Sequence, residues 1–338
     1  MKRNRIILVT TLVIIYLVIT AGAVVRMTGS GMGCPDWPKC FGYLVPPTSE
    51  EQLEWKANYS YSKGTVIIRS NALEVAQSDF TSSDQYESTN WKKYDKHDYA
   101  LFNPWHTWIE YINRLLGALA GLSTLALFLS SWFTQPKRID LRLLSSLLLI
   151  GILFQAWLGA TVVYSVLNPI KISIHMLMAL VLVALLFVYY EKTYQQELFQ
   201  SSSRLSRLLF ISVALTLFQV LLGTQVRQYV DEQIDLMKPA DNWLSPAPLL
   251  FYIHRSYSII VVLFQIYLLK KIKEQYRKLL PLQVIVSALT LIAVLSGIVM
   301  YYFDFPFSTQ PIHLVIASAL FGWQVFLWLK SYRIVKPT

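Results

Sequence analysis

Eight runs of predominantly apolar residues, near 6–26, 104–132, 142–166, 171–190, 205–227, 248–270, 281–303 and 311–330, dominate this chain. Each is at least about 20 residues long, the length a helix needs to cross the hydrocarbon core of a bilayer. A water-soluble domain could not hide eight of them. The composition agrees: 54% of residues are hydrophobic and 15% charged, against about a quarter charged in ordinary soluble domains. The expected fold is therefore all-α, a polytopic membrane protein of eight transmembrane helices.

The formal net charge of +10 invites a nucleic-acid partner, but its distribution argues for topology. Lys2, Arg3 and Arg5 precede the first run; Lys137, Arg138 and Arg142 lie between the second and third. Lys192, Arg204 and Arg207 separate the fourth and fifth, and Lys270, Lys271, Lys273, Arg277 and Lys278 the sixth and seventh. Lys330, Arg333 and Lys336 follow the last. Alternate junctions carry the excess, which places them and both termini in the cytoplasm by the positive-inside bias. No nucleic-acid partner is expected; the surrounding medium is lipid. The basic start resembles the first part of a signal peptide, but the apolar run behind it is too long for one. It is read as a span. No Arg- and Ser-rich presequence precedes it, which favours a bacterial inner (cell) membrane over an imported mitochondrial protein.

Two cysteines occur, Cys34 and Cys40, both in the long outward loop at 27–103. A close pair on the oxidising side of a membrane reads as a disulfide; two thiols alone rarely complete a metal site. The loop also holds Tyr59, Tyr61, Trp91 and Tyr94 and is expected to fold over the outer surface.

The chain repeats itself. Gly22-Ala23-Val24-Val25-Arg26 ends the first span and Gly223-Thr224-Gln225-Val226-Arg227 the fifth. Tyr111-Ile112-Asn113-Arg114 in the second matches Tyr252-Ile253-His254-Arg255 in the sixth. Gly159 to Tyr164 in the third loosely matches Gly297 to Tyr302 in the seventh, and Ile174-His175-Met176 in the fourth matches Ile312-His313-Leu314 in the eighth. Four matches in one order predict two parallel-repeat four-helix bundles, residues 1–200 with the long loop and residues 201–338, related about an axis along the membrane normal. His175, His254 and His313 then share one depth, near the outer end of their helices.

Ionisable residues within a membrane are costly and usually functional. His254 and His313, at one depth on homologous helices, suit the two axial positions of a haem iron; the bland alternative is an interhelical hydrogen bond. Arg255, and Arg114 in the first repeat, stand where a guanidinium can pair with a haem propionate or merely snorkel. Glu110 shares a helix face with Asn113 and has no obvious cation on its own helix except Arg114. The second repeat has no carboxylate there. One half thus looks like a permanent cofactor site and the other like a reaction site. Gln155 and Gln219 read as hydrogen-bonding glue between helices.

Gly29-Ser30-Gly31-Met32-Gly33-Cys34-Pro35-Asp36-Trp37-Pro38-Lys39-Cys40, following a Val-Val-Arg helix end, resembles the outer loop of the haem A synthases. So do the Glu-Tyr-x-x-Arg stretch at 110–114 and the histidines of spans four, six and eight, and the resemblance covers essentially the whole chain. It implies an oxidoreductase that converts the methyl group of haem O to a formyl group by successive hydroxylations and loss of water, for cytochrome oxidase assembly. It implies a haem b cofactor on His254 and His313, and haem O received by the first half with His175 as iron ligand and Glu110 as catalytic group. The electron donor is not legible; haem O synthase, oxidase assembly factors and a second copy of the chain stand as candidate partners.

One position departs from the family pattern, which has His where this chain has Asn113, a poor iron ligand. His106, seven residues earlier on the same face and about 10 Å nearer the outside, compensates if the helix start is distorted. Otherwise His175 alone holds the substrate iron, which is the expectation. The main alternative is a cytochrome b-like electron carrier, which would use four ligand histidines and has no need of Glu110. A transporter is a weaker one, because the polar residues cluster away from the midplane.

Overall fold

A computed structural model describes residues 2–99, 101–133, 138–193 and 203–332. The protein is an all-α polytopic membrane protein. Among the described residues the eight long helices are α1 (Lys2–Met27), α2 (Pro104–Phe133), α3 (Ile139–Tyr164), α4 (Pro169–Thr193), α5 (Ser203–Asp235), α6 (Leu249–Gln275), α7 (Leu280–Tyr302) and α8 (Thr309–Tyr332), and all eight are long and apolar enough to span a bilayer. They match the eight apolar runs to within a few residues, the usual uncertainty of helix ends. The exception is α5, which continues about two turns beyond the expected end at Arg227. Those turns are polar and carry an Arg227–Asp231 ion pair at 2.7 Å; hydropathy marks where a chain leaves lipid, not where its helix stops. Lys137, Arg333 and Lys336, assigned to the charged junctions, lie outside the described residues.

Packing divides the chain into two compact units. One comprises Met1–Tyr16, Ser123–Gly151 and Met176–Thr338. In it α5 and α7 each pack against both α6 and α8, so α6 and α8 face one another across a four-helix bundle. Its apolar core includes Leu205, Leu268, Ile272, Val286 and Leu327. Within that core one polar residue from each helix joins a buried network. Ser212 accepts from Gln265 Nε2 at 2.7 Å and Gln324 Nε2 at 3.0 Å, and Gln283 Nε2 donates to Gln265 Oε1 at 3.0 Å. In the same unit, basic side chains cap helix C-termini, where the unpaired carbonyls and the dipole favour them. Arg5 and Arg138 donate to the last carbonyls of α4, at Thr193 and Lys192, and Arg142 donates to Trp132 near the end of α2.

The other unit comprises Leu17–Leu122 and Ile152–His175. It holds the α1–α2 loop, which forms small sheets that the apolar pattern did not announce. β2 (Val66–Arg69), β3 (Ala72–Ala76) and β5 (Trp91–Lys93) make an antiparallel sheet, and β1 (Ser60–Tyr61) pairs with β4 (Phe80–Thr81). The β2–β3 hairpin turns on Ser70 and Asn71, both with positive φ, as a two-residue hairpin loop requires. Val66 and Leu73 pack with the Cys34–Cys40 disulfide, Phe41 and Leu53. Ile67 and Ala76 pack with Tyr61 and Trp91. Strand alternation thus splits the loop's apolar residues into two small cores.

The sequence repeat has a backbone counterpart. The α3–α4 turn places Val166 and Leu167 at positive φ, and the α7–α8 turn does the same with Asp304 and Phe305. Both turns close through a hydrogen bond spanning five residues, Leu167 N–H to Val162 O and Phe305 N–H to Met300 O.

Candidate functional site

The bundle of α5 to α8 carries His254 on α6 and His313 on α8, the two helices that face one another across it. Each ring lies against a glycine of the preceding helix. A Cβ on Gly223 would stand 3.1 Å from His254 Cε1, and one on Gly297 3.5 Å from His313 Cε1. Any larger residue at 223 would displace the imidazole. Ser296 fixes the His313 tautomer: its hydroxyl donates to Ala293 O at 2.8 Å, so its oxygen accepts from Nδ1–H, also at 2.8 Å. Nε2 is then left with its lone pair free, the form a metal takes. His254 Nδ1 is buried and has no hydrogen-bond partner among the described residues. Gln219, the expected glue, donates to the His254 carbonyl at 3.0 Å.

Two imidazoles on diagonally opposed helices, each backed by a glycine, are residues that could hold a haem iron. Arg255, next to His254, lays its guanidinium over Tyr252 at 5.2 Å and Phe251 at 5.8 Å and enters no ion pair among the described residues.

In the other unit His175 (α4) repeats this arrangement. A Cβ on Gly159 would lie 3.5 Å from its Cε1, Gln155 donates to its carbonyl at 3.0 Å, and its Nδ1 is buried without a partner among the described residues. Asn113 (α2) occupies the place of His254: a Cβ on Gly22 would lie 3.8 Å from its Oδ1. The start of α2 is regular. Asn103 caps it, accepting from the N–H groups of Trp105 at 2.9 Å and His106 at 3.3 Å. His106 therefore stays about 10 Å along the axis from Asn113, and the distortion that would let it compensate is not seen.

Glu110 is buried, 4% exposed, and both of its oxygens are engaged. Oε2 accepts the Cys34 N–H at 2.8 Å, and Oε1 accepts from Nε of Arg114 at 3.0 Å and from its Nη2. Arg114 also donates to the carbonyls of Cys34 at 3.0 Å, Asp36 at 2.6 Å and Lys39 at 2.8 Å. Its nitrogens are thus committed to the disulfide loop rather than projecting free. The loop is held from other sides too. Thr107 donates to Gly33 O, Tyr94 to Pro35 O and Tyr164 to Trp37 O, at 2.7, 3.0 and 2.8 Å. Gly33 crosses α2 so closely that a Cβ would fall 2.4 Å from His106 O; only glycine fits. Asp36 closes the turn by accepting from Phe41 N–H at 2.6 Å and Gly42 N–H at 2.8 Å. Burial pushes its carboxyl above the ordinary range, against the pull of those N–H groups and of Arg114.

A family model described as "Cytochrome oxidase assembly protein" matches residues 5–325. The chain belongs to this family, that of the haem A synthases. Curated relatives named "Heme A synthase" align with it in Shewanella oneidensis (29% identical, 63% of this chain, 53% of that protein). Others are from Wolbachia pipientis of Culex pipiens (26%, 89% of each) and Ehrlichia canis (23%, 93% of this chain, 88% of that protein). The Shewanella match thus spans about half of that relative, while the other two run nearly end to end.

For this haem A synthase family member, sequence reasoning singled out the histidines, Glu110 and the cysteines. It did not find Ser296, Thr107 and Asp36, or the fixing of Arg114 by three loop carbonyls, because backbone acceptors leave no mark in a sequence. The glycines at 22, 159, 223 and 297 mark the sequence repeat, and their packing against Asn113, His175, His254 and His313 explains them.

Proposed function

We propose that the chain is a haem A synthase of the bacterial cell membrane, an oxidoreductase that converts the methyl substituent of haem O to a formyl group. Two hydroxylations and the loss of water amount to a four-electron oxidation of that carbon, whose oxygen atom and oxidising equivalents come from outside the chain; with dioxygen as oxidant, each hydroxylation also takes two electrons from a separate donor and releases one water. The carrying observation is the asymmetry of the repeat. The second half offers two histidines, His254 and His313, each backed by glycine, which would hold a resident haem b, with Arg255 as a cation for its propionates. The first half offers one histidine, His175, with Asn113 opposite in the repeat and a buried carboxylate, Glu110, nearby on α2. An electron carrier would be expected to keep two matched histidine pairs.

In this reading His254 and His313 hold haem b, which supplies one-electron chemistry when bound. His175 would hold the iron of haem O, and Glu110 would stabilise positive charge on the substrate or accept a proton. Fixed carboxylates act strongly where water is excluded. Arg114 orients Glu110 and secures the Cys34–Cys40 loop, which lies on the outer side, with both termini in the cytoplasm. The electron donor is a separate partner, and haem O synthase and oxidase assembly factors are natural neighbours for a protein whose substrate and product are membrane-bound haems.

The test is to express the chain in a bacterium that makes haem O but lacks its own haem A synthase, and to extract the haems. Haem A is the expected product. Haem O left unchanged beside a normally assembled, redox-active haem b would instead make the protein an electron carrier.

A further inference from the structure

The two repeats differ at one wall of their sites. Gly22 stands to Asn113 as Gly223 stands to His254, and Gly159 to His175 as Gly297 to His313. Where the second repeat presents an imidazole, the first presents a carboxamide, which is a poor ligand for haem iron. Asn113 Oδ1 is buried and lacks a hydrogen-bond partner among the described residues. Buried polar atoms are ordinarily paired, so this one is available to a group supplied from outside the chain. Nothing but Asn113 Oδ1 comes within 4 Å of a Cβ built on Gly22, so no neighbouring side chain crowds that wall. His106 cannot fill the position, because the regular, Asn103-capped start of α2 keeps it about 10 Å away along the axis.

We propose that Asn113 keeps the substrate site open. Haem held by His175 retains a free axial position that admits a small exogenous ligand, and the Asn113 carboxamide lines that position as a hydrogen-bonding group. The His254/His313 site has both axial positions filled and excludes such ligands. This inference rests on the proposed haem O site, and it makes Asn113 a specificity-determining residue rather than a lost ligand.

Carbon monoxide is the probe. Purified protein carrying its resident haem b would be loaded with haem O and reduced, then followed by optical difference and infrared spectroscopy under carbon monoxide. The added haem should bind the gas one to one while the resident haem b stays silent. Asn113→His should make the added haem low-spin and cut gas binding at least about tenfold, by supplying a second strong axial ligand. Asn113→Leu should retain binding but shift the C–O stretching band, because the hydrogen-bonding amide is gone. Unaltered haem b bands in each variant report intact folding, and Asn113→Leu carries the test if Asn113→His fails to assemble. Added haem that binds through His175 yet is low-spin and silent in the parent protein overturns the open site. An unmoved C–O band in Asn113→Leu overturns the role of the amide. Failure of haem O to bind, or binding indifferent to His175→Ala, overturns the substrate-site reading itself and the inference with it.

Discussion

Glu110 is a buried anchor, and in the proposed function it is a reactant as well. Its two oxygens are taken by Arg114 and the Cys34 N–H, yet a carboxylate has about four acceptor sites, so capacity remains. Glu110→Gln keeps an acceptor for Cys34 N–H and removes the charge, while Arg114 retains its three loop carbonyls. We expect normal membrane insertion and haem b content, with haem A formation reduced about a hundredfold or more, or halted at a hydroxylated haem. Wild-type haem A production would remove Glu110 from catalysis; loss of haem b as well would make it structural. His254→Ala and His313→Ala should each abolish or shift the reduced-state bands of the resident haem, whereas His175→Ala should leave them. Unchanged spectra in both of the first two variants would end the haem b assignment. These residues were legible because a charge or an imidazole in an apolar run is expensive and stands out. Ser296, which sets the His313 tautomer, was not legible, because one serine among many in a helix carries no such signal.

At the level of elements, the glycine cradle and the disulfide loop each carry a prediction. A Cβ at Gly223 would come 3.1 Å from His254, closer than ordinary contact, whereas at Gly297 it would sit at a comfortable 3.5 Å from His313. Gly223→Ala should therefore perturb the haem b spectrum and Gly297→Ala should not; equal effects would contradict the cradle geometry. The Cys34–Cys40 bridge closes a short loop, six residues apart, worth about 2–3 kcal/mol at most. Because Glu110, Arg114, Thr107, Tyr94 and Tyr164 also grip residues 33–39, the double variant Cys34→Ser, Cys40→Ser should keep the loop folded while raising its protease sensitivity. Complete digestion under conditions that spare the parent would assign the disulfide a larger part. The helices were readable because apolar length is what a bilayer demands. The loop's strands were not, since they run only two to five residues and bury alternate side chains in two cores too small to leave a long apolar pattern.

Over the whole molecule, the basic residues combine a topological signal with a structural task. Arg5, Arg138 and Arg142 neutralise the C-terminal carbonyls of α4 and α2, and Lys330 pairs with Glu191 at 3.2 Å. A cation that holds a helix end in place is costly to carry through lipid, so packing and the positive-inside bias favour the same orientation. The described residues hold eight spans, an even number, so α8 ends on the side where α1 begins. Alkaline phosphatase, active only outside the cytoplasm, should therefore be active when fused within residues 41–99. It should be inactive when fused after the α2–α3 junction near 138, the α6–α7 junction near 276 or the C-terminus. Moving the cations tests the cause as well as the outcome. Replacing Lys2, Arg3 and Arg5 by Gln should weaken the bias without inverting the chain, because three further basic junctions remain. An active C-terminal fusion in the parent protein would place the disulfide loop in the cytoplasm, where a Cys34–Cys40 bond would not persist, and would refute the assigned topology.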